Sequence, residues 1–240
     1  MKALIISDIH SNIHALEAIL RQERDCDLMY CAGDLVDYGP YPKEVVNWIR
    51  EKEIPCVQGN HDAWVALCYR RGQTLAIMPP EESAWVHHNA ELLSDDDIAF
   101  LEGLPKSLSF ELNGCLYGMT HLFHEYDEIV SLHAFQNFCA QSFGIPSLEN
   151  LIIGHTHRQA IRYLSNTVKW LNPGSASYRR KDDPDQSAHY ATITDGIIAL
   201  HRLDYDRLPV HQAACQVYLK DSEMKVAEHI FGPRISGDAS

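Results

Sequence analysis

Five short polar clusters carry residue types that do metal and acid–base chemistry. They are Asp8-Ile9-His10, Gly33-Asp34 with Asp37, Gly59-Asn60-His61-Asp62, the single His121, and Gly154-His155-Thr156-His157. In the first, a carboxylate and an imidazole stand two residues apart. Positions i and i+2 of an extended segment point the same way, so this pair can grip one metal ion. Alone, such a D-x-H is more often a helix cap beside a surface histidine. Asp, His and Asn donors without a thiolate suit Mn, Fe or Zn held by mixed nitrogen and oxygen, and do not suit a cysteine-type structural zinc. His121 in isolation reads as a polar strand end, and His87 and His88 as solvated histidines on a helix face.

The elements that must position these residues are legible from periodicity. Lys2 to Ile6 is a short buried strand, and Ser11 or Asn12 caps a helix carrying Ile13, Leu16, Ile19 and Leu20. Leu28 to Ala32 is a second strand. Pro42 opens a helix with Val45, Val46, Trp48 and Ile49, and Pro55 to Gln58 is a third short strand. Strand, helix, strand, helix, strand at this spacing predicts βαβ units and a parallel sheet, with Asp8, Asp34 and Asn60 at the carboxyl ends where open α/β sheets place ligands.

A polar helical stretch spans about 63–104, with an imperfect capping box at Ser94 and Asp97. Ser107–Leu112 and Cys115–Met119 form a hairpin around Asn113-Gly114, and Asp195-Gly196 makes a second one. A helix covers 131–143 and a buried strand covers Leu151–Ile153. The remainder, Ala160–Leu164, Val168–Leu171, His189–Thr194 and Ile197–Leu203, reads as antiparallel strands. A helix starts near Asp221 and frays from Gly232. No repeat or linker splits the chain, which reads as a single domain over 1–240 with a helical insert near 63–104.

The composition narrows the partners. With 240 residues and 45% hydrophobic content the chain can bury a sizeable core. Twenty Lys+Arg against 33 Asp+Glu give a net charge of −13, which repels nucleic acid backbones and anionic membranes. No nucleic acid polymer and no membrane is therefore expected as a partner, and a DNA-processing nuclease is disfavoured. Oligomeric state is not legible in the sequence, and a homo-oligomer stays open. Seven cysteines, an odd number without a C-x-x-C pair, read as reduced and mostly buried thiols. With no signal-peptide pattern after Met1-Lys2, they point to a cytoplasmic protein.

In order and chemistry the five clusters, D-x-H, G-D-x-x-D, G-N-H-D, a lone His and G-H-x-H, closely resemble the calcineurin-like metallophosphoesterase family, in particular its small bacterial phosphodiesterase branch. The resemblance runs from Asp8 to His157, with a looser echo at Asn172-Pro173-Gly174-Ser175. It implies an α/β fold, a four-layer αββα sandwich of two mixed β-sheets. It also implies two transition-metal ions, Mn, Fe or Zn. Asp8, His10, Asp34 and His157 would hold one, and Asp34, Asn60, His121 and His155 the other. Two ions suit phosphoester hydrolysis by a bridging hydroxide.

By the same resemblance His61 is the general acid toward the leaving group and Asp37 its orienting partner, while Asp62 supports the loop. The implied activity is metal-dependent hydrolysis of phosphodiester or phosphoanhydride bonds in small nucleotide-like substrates. Backbone N–H groups near Asn12 can meet the phosphate. Tyr38, Phe123, Tyr126 and Tyr178 are candidates to stack on a base, and Arg158, Arg179 and Arg180 to hold a distal phosphate. The sequence departs from the protein-phosphatase branch, and from the symmetrical diadenosine tetraphosphate hydrolases allied to it, which carry Arg where Tyr38 stands. A protein phosphatase and a non-catalytic scaffold, like the retromer subunit of this fold, are the alternatives. The filled ligand positions and His61 weigh against the scaffold.

Overall fold

The computed structural model describes residues 1–72, 80–124, 128–177, 180, 182, 183, 185–217 and 221–232. Strand β1 (Lys2–Ile6) is central, with Ala3, Leu4, Ile5 and Ile6 all fully buried, as a strand covered on both faces requires. It pairs in parallel with β2 (Leu28–Cys31) and antiparallel with β8 (Ala188–Thr194); β9 (Ile197–Leu203) completes a sheet of order β2-β1-β8-β9. A second sheet joins β3 (Ser107–Leu112), β4 (Cys115–Thr120), β5 (Asn150–Ile153), β7 (Lys169–Asn172) and β6 (Ala160–Tyr163), in that order across the sheet. β4, β5 and β7 are mutually parallel, with antiparallel strands at both edges.

The period-two alternation of β1 divides its side chains between two cores. Ala3 and Ile5 face the second sheet and meet Tyr117, Met119, Ile152 and Leu171. Leu4 and Ile6 face the opposite way, onto Leu16 and Ile19 of α1 (Ile13–Gln22) and Val45, Val46 and Ile49 of α2 (Pro42–Glu51). On the far side α6 (Leu132–Phe143) lays Phe135 and Cys139 against Leu151, Ile153 and Trp170. Helix, sheet, sheet and helix stack as four layers, the αββα sandwich of two mixed sheets.

The local signals act where the sequence predicts them. Asn12 caps α1 by accepting the Ala15 N–H at 3.1 Å, and Pro42 opens α2. Asn113-Gly114 and Asp195-Gly196 each place two successive residues at positive φ, the turn that matches hairpin twist, and they join β3 to β4 and β8 to β9. Helices α3 (Asn60–Arg71), α4 (Pro80–Leu92) and α5 (Asp95–Gly103) occupy most of 60–103.

Three readings change. Residues 55–58 are not a strand: they make one parallel bridge, Cys31 to Cys56, before the Gln58 N–H turns away to the Pro105 carbonyl at 2.8 Å. The late strands are not simply antiparallel. β7 lies parallel to β5, and β8 crosses into the first sheet. A helix that periodicity did not reveal, α7 (Leu208–Gln216), packs with α8 (Asp221–Phe231). Together they set Val210, Ala214, Ile230 and Phe231 on Trp85 of α4 and on Tyr38. Among the described residues no helix is long and apolar enough to cross a membrane. All seven cysteines are free thiols, four of them buried.

Candidate metal centre

The polar clusters converge where strands of both sheets end. Ligand atoms of Asp8, His10, Asp34 and His157 lie within 4.8 Å of one another, and so do those of Asp34, His121 and His155. Asp34 belongs to both groups. The two loops after β1 and β2 are zipped together by backbone hydrogen bonds: Asp8 N–H to the Gly33 carbonyl (2.9 Å), His10 N–H to Asp34 (3.1 Å) and Ser11 N–H to Leu35 (2.9 Å). Asp8, His10, Ser11, Asp34, Asp37, Tyr38, His155 and His157 all have φ between 48° and 80°. Non-glycine residues seldom occupy this left-handed region, and its concentration here marks loops bent to aim side chains inward.

Two glycines permit the close approach. A Cβ on Gly59 would sit 2.0 Å from Asp34 Oδ1, and one on Gly154 would sit 2.2 Å from Ser7 Oγ and 3.1 Å from Asp8 Oδ2. Each precedes a cluster, which explains the G-N-H and G-H-x-H spelling. Asp62 sits beneath. Its carboxylate accepts backbone N–H groups of Asp34 (3.1 Å), Leu35 (2.8 Å), Val36 (3.3 Å) and Gly59 (2.9 Å), so it shapes the loop that carries Asp34. Burial and the nearby Asp34 push its pKa up to about 6, and the four N–H donors favour the ionised form at neutral pH.

The imidazole orientations are fixed from behind. His121 Nδ1 donates to the Ala32 carbonyl at 2.7 Å, and His10 Nδ1 to the Val36 carbonyl at 3.3 Å. A carbonyl only accepts, so in both rings Nδ1 carries the hydrogen and Nε2 presents its lone pair inward. His121 Nε2 faces Asn60 Oδ1 at 3.0 Å and Asp34 Oδ2 at 3.1 Å. His10 Nε2 faces His157 Nε2 at 3.2 Å, and His157 Nε2 faces Asp8 Oδ1 at 3.1 Å.

Asp8 Oδ1 and Asp34 Oδ2 are buried and receive no hydrogen bond, although ring nitrogens lie close by. Buried carboxylate oxygens left so, beside imidazole nitrogens turned to the same points, form a donor set that suits cations. Burial holds the His10 pKa down at about 3 and that of His155 down at about 4, so both are neutral donors. Burial also opposes a charged His121, but Asp34 beside it prevails and raises its pKa to about 10; a proton there occupies the place a cation can take.

Beside the groups stands a second device. His61, at the start of α3, binds Asp37 Oδ2 through Nδ1 at 2.5 Å. Both side chains are almost wholly buried. Burial disfavours the His61 imidazolium, and the Asp34 and Asp37 carboxylates outweigh it, so its pKa rises. The His61 ring stands edge-on to His10, with centroids 5.0 Å apart, and to Trp64 at 4.6 Å.

Of the other predicted site residues, Asn12 is fully buried. Its amide is committed to Ala15 N, Ser177 Oγ (2.9 Å) and the Tyr205 hydroxyl (2.8 Å), so its side chain serves the fold. Tyr38 is 6% exposed and packs between His10, His61 and Trp85; it walls the site and offers no open stacking face. Phe123 is half-buried and packs edge-on to Phe138 outside the second sheet. Arg158 and Arg180 both pair with Asp182. Arg179, Tyr126 and Tyr178 lie outside the described residues. His88 is not solvated as its helix position suggests. It is half-buried edge-on to Trp85, and burial lowers its pKa.

Two supports of the site loops, one under Asp8 and one under Gly154, were not predicted. Ser175 Oγ donates to the Asp8 carbonyl at 2.8 Å, and Asn172 Nδ2 to the Gly154 carbonyl at 2.6 Å. The Asn172-Pro173-Gly174-Ser175 spelling was the available signal.

With this geometry in view, the comparisons with known proteins agree. The family model for the calcineurin-like phosphoesterase superfamily domain matches residues 1–196, and the chain belongs to that superfamily. The uncharacterized protein MJ0912 of Methanocaldococcus jannaschii is 28% identical over 220 residues, covering 84% of this chain and 87% of its own. In fold the chain is similar to a metallophosphoesterase from Sphaerobacter thermophilus, with TM-score 0.70, 23% identity, and 95% and 98% of the two chains covered. It is also similar to the hypothetical protein PH1004 from Pyrococcus horikoshii, with TM-score 0.77, 16% identity, and 97% and 99% covered.

Proposed function

We propose that the chain is a dinuclear metal-dependent phosphoesterase acting on phosphodiester or phosphoanhydride bonds of small, nucleotide-like molecules. The observation that carries this reading is that two groups of candidate ligands share Asp34 and lie beside the His61–Asp37 pair. Asp8, His10, Asp34 and His157 would hold one ion, and Asp34, Asn60, His121 and His155 the other. Ions of the Mn, Fe or Zn type bound there supply a water of lowered pKa and neutralise phosphoryl oxygens. Only Asp8 and Asp34 bring negative charge to this donor set, fewer charges than two divalent ions carry. A site loaded with two divalent ions would therefore be net positive and would attract a phosphate.

His61 contributes the proton. Asp37 holds Nδ1, so Nε2 is the nitrogen that can donate to the departing oxygen, and the hydrogen bond to the Asp37 carboxylate favours the protonated ring. Asp37 fixes the ring and sustains its charge. Tyr38 occupies the place where the protein-phosphatase branch has Arg. That substitution, with the net charge of −13, favours small substrates over phosphoproteins and nucleic acid polymers.

The deciding experiment reconstitutes the protein with Mn, Fe or Zn and measures metal content and hydrolysis side by side. The substrates are p-nitrophenyl phosphodiesters, nucleotides, dinucleoside polyphosphates and phosphoserine peptides. Two ions per chain with preference for nucleotide-type diesters or anhydrides is the expected result. Saturation at one ion, or a clear preference for phosphopeptides, overturns it.

A further inference from the structure

Asn89 is a buried polar side chain outside the two ligand groups that reaches two site loops at once. It lies on α4, is fully buried, and shares the inward stripe with Trp85, Val86 and Ala90. A mid-helix asparagine is a poor helix former, and a buried amide is costly unless its donors and acceptors are used. Asn89 uses both ends twice. Oδ1 accepts from Ser11 Oγ at 2.6 Å and from the Asp37 backbone N–H at 3.0 Å. Nδ2 donates to the Gly39 carbonyl at 3.0 Å and to the Trp85 carbonyl at 3.2 Å. The amide's orientation is unambiguous, since the Asp37 N–H can only donate and the two carbonyls can only accept.

What Asn89 grips is the strained backbone of the site. Ser11, Asp37 and Tyr38 have φ of 53°, 80° and 59°. Ser11 follows His10 of the first ligand group, while Asp37 and Gly39 bracket the turn whose carboxylate holds His61. One side chain from the helical layer thus ties the Asp8-Ile9-His10 loop to the loop that aims the His61 imidazole. Asp37 spends Oδ1 on the Tyr38 N–H at 2.7 Å and Oδ2 on His61, so its direction follows from its backbone, and Asn89 holds that backbone.

We infer that Asn89 is the positioning residue of the His61–Asp37 pair, acting through Asp37 and touching neither ion nor substrate. This rests on the reading of His61 as proton donor. The test uses the 240-residue chain reconstituted with zinc, which is diamagnetic, and two diesters of unequal leaving group, bis(p-nitrophenyl) phosphate and diphenyl phosphate.

Asn89→Ala should keep its metal content and lose about tenfold in kcat on diphenyl phosphate, a fraction of what general acid catalysis is worth, with much less lost on the nitrophenyl ester. In a His61→Ala background the same substitution should cost nothing further. A readout independent of turnover is the His61 Nδ1–H proton resonance, assigned by its disappearance in His61→Ala. It should lie far downfield in the wild type and move upfield or vanish in Asn89→Ala. Should Asn89→Ala fail to fold, Asn89→Ser carries the same expectations. An unmoved resonance, equal losses on both diesters, or losses additive with His61→Ala overturns the inference. Parallel behaviour of wild type and His61→Ala on the two diesters would instead remove the acid role of His61, and the resonance still decides whether Asn89 holds the pair.

Discussion

The two flanks of the centre are built differently. On one flank the candidate ligands stand at the ends of strands from both sheets, and backbone carbonyls hold their rings: Val36 behind His10 and Ala32 behind His121. On the other flank His61 and Asp37 are held by a carboxylate–imidazole bond, by Asn89 from α4, and by the packing of Tyr38 on Trp85 and the carboxy-terminal helices. The first flank rests on sheet hydrogen bonding continuous with the core. The second rests on helices laid against the sandwich, and their hold passes through side chains. Substitutions on the first flank should cost metal and activity together, whereas those on the second should cost activity while the metal stays.

The largest effect is expected at Asp34, the residue common to both groups. Asp34→Asn should empty both sites and lower turnover by about three orders of magnitude, since ion stabilisation of the transition state is worth several kcal/mol. Elemental analysis beside kinetics checks it, and retention of two ions would show that the ligand flank does not depend on Asp34. His61→Ala comes next. Metal content should remain near wild type. Turnover should fall about 10²–10⁴-fold on an alkyl or phenyl ester and much less on a nitrophenyl ester. A plot of log rate against leaving-group pKa should steepen, and Asp37→Asn should steepen it less.

Asp62 sharpens the contrast because it sits on α3 yet serves the ligand flank. Asp62→Ala removes the acceptor of four N–H groups around Asp34 and should weaken metal affinity about 10–100-fold, measured by competition with a chelator. Unchanged affinity would show that the backbone alone holds Asp34 in place.

The smallest effect concerns the helical layer itself. Asp97, at the first turn of α5, pairs with Arg50 at 3.0 Å and accepts from Ser94 at 2.7 Å. Burial opposes its charge, but Ser94 and Arg50 prevail and its pKa is lowered. The folded value lies below the unfolded one. Its stabilisation is therefore complete above the usual aspartate range near pH 4 and is lost as pH falls through the lower folded value. Asp97→Asn should cost about 1 kcal/mol at neutral pH, the scale of a cap. In thermal melts of the metal-free protein the difference from wild type should vanish toward pH 2. A difference that persists there would assign Asp97 a role other than its charge.

How much of this the chain announces varies by element. β1, the cap of α1 at Asn12, and the Asn113-Gly114 and Asp195-Gly196 turns follow from local chemistry: a buried apolar run, one capping side chain, and positive φ at paired turn residues. The ligand clusters are legible because each follows an apolar run, and those at Asp34, Asn60 and His155 also follow a glycine that lets the backbone close in. Residues 55–58 look like a strand but find no continuous neighbour. The pairing of β8 with β1 is equally invisible, since β8 alternates as well for either sheet.

The sequence by itself determined which residues could bind metal, their order, and the strand ends that carry them, because periodicity and capping act over a few residues. Only the tertiary structure decided that Tyr38 is a wall and that Asn12 spends its amide on Ser177 and Tyr205. It also joined Asp34 to both ligand groups and placed Asn89 behind the His61–Asp37 pair. Those outcomes depend on contacts between segments far apart in the chain, such as Ser11 with Asn89 and Asp8 with Ser175. A side chain's remaining hydrogen-bond capacity, and so its freedom to serve a ligand, is settled only when its distant neighbours arrive.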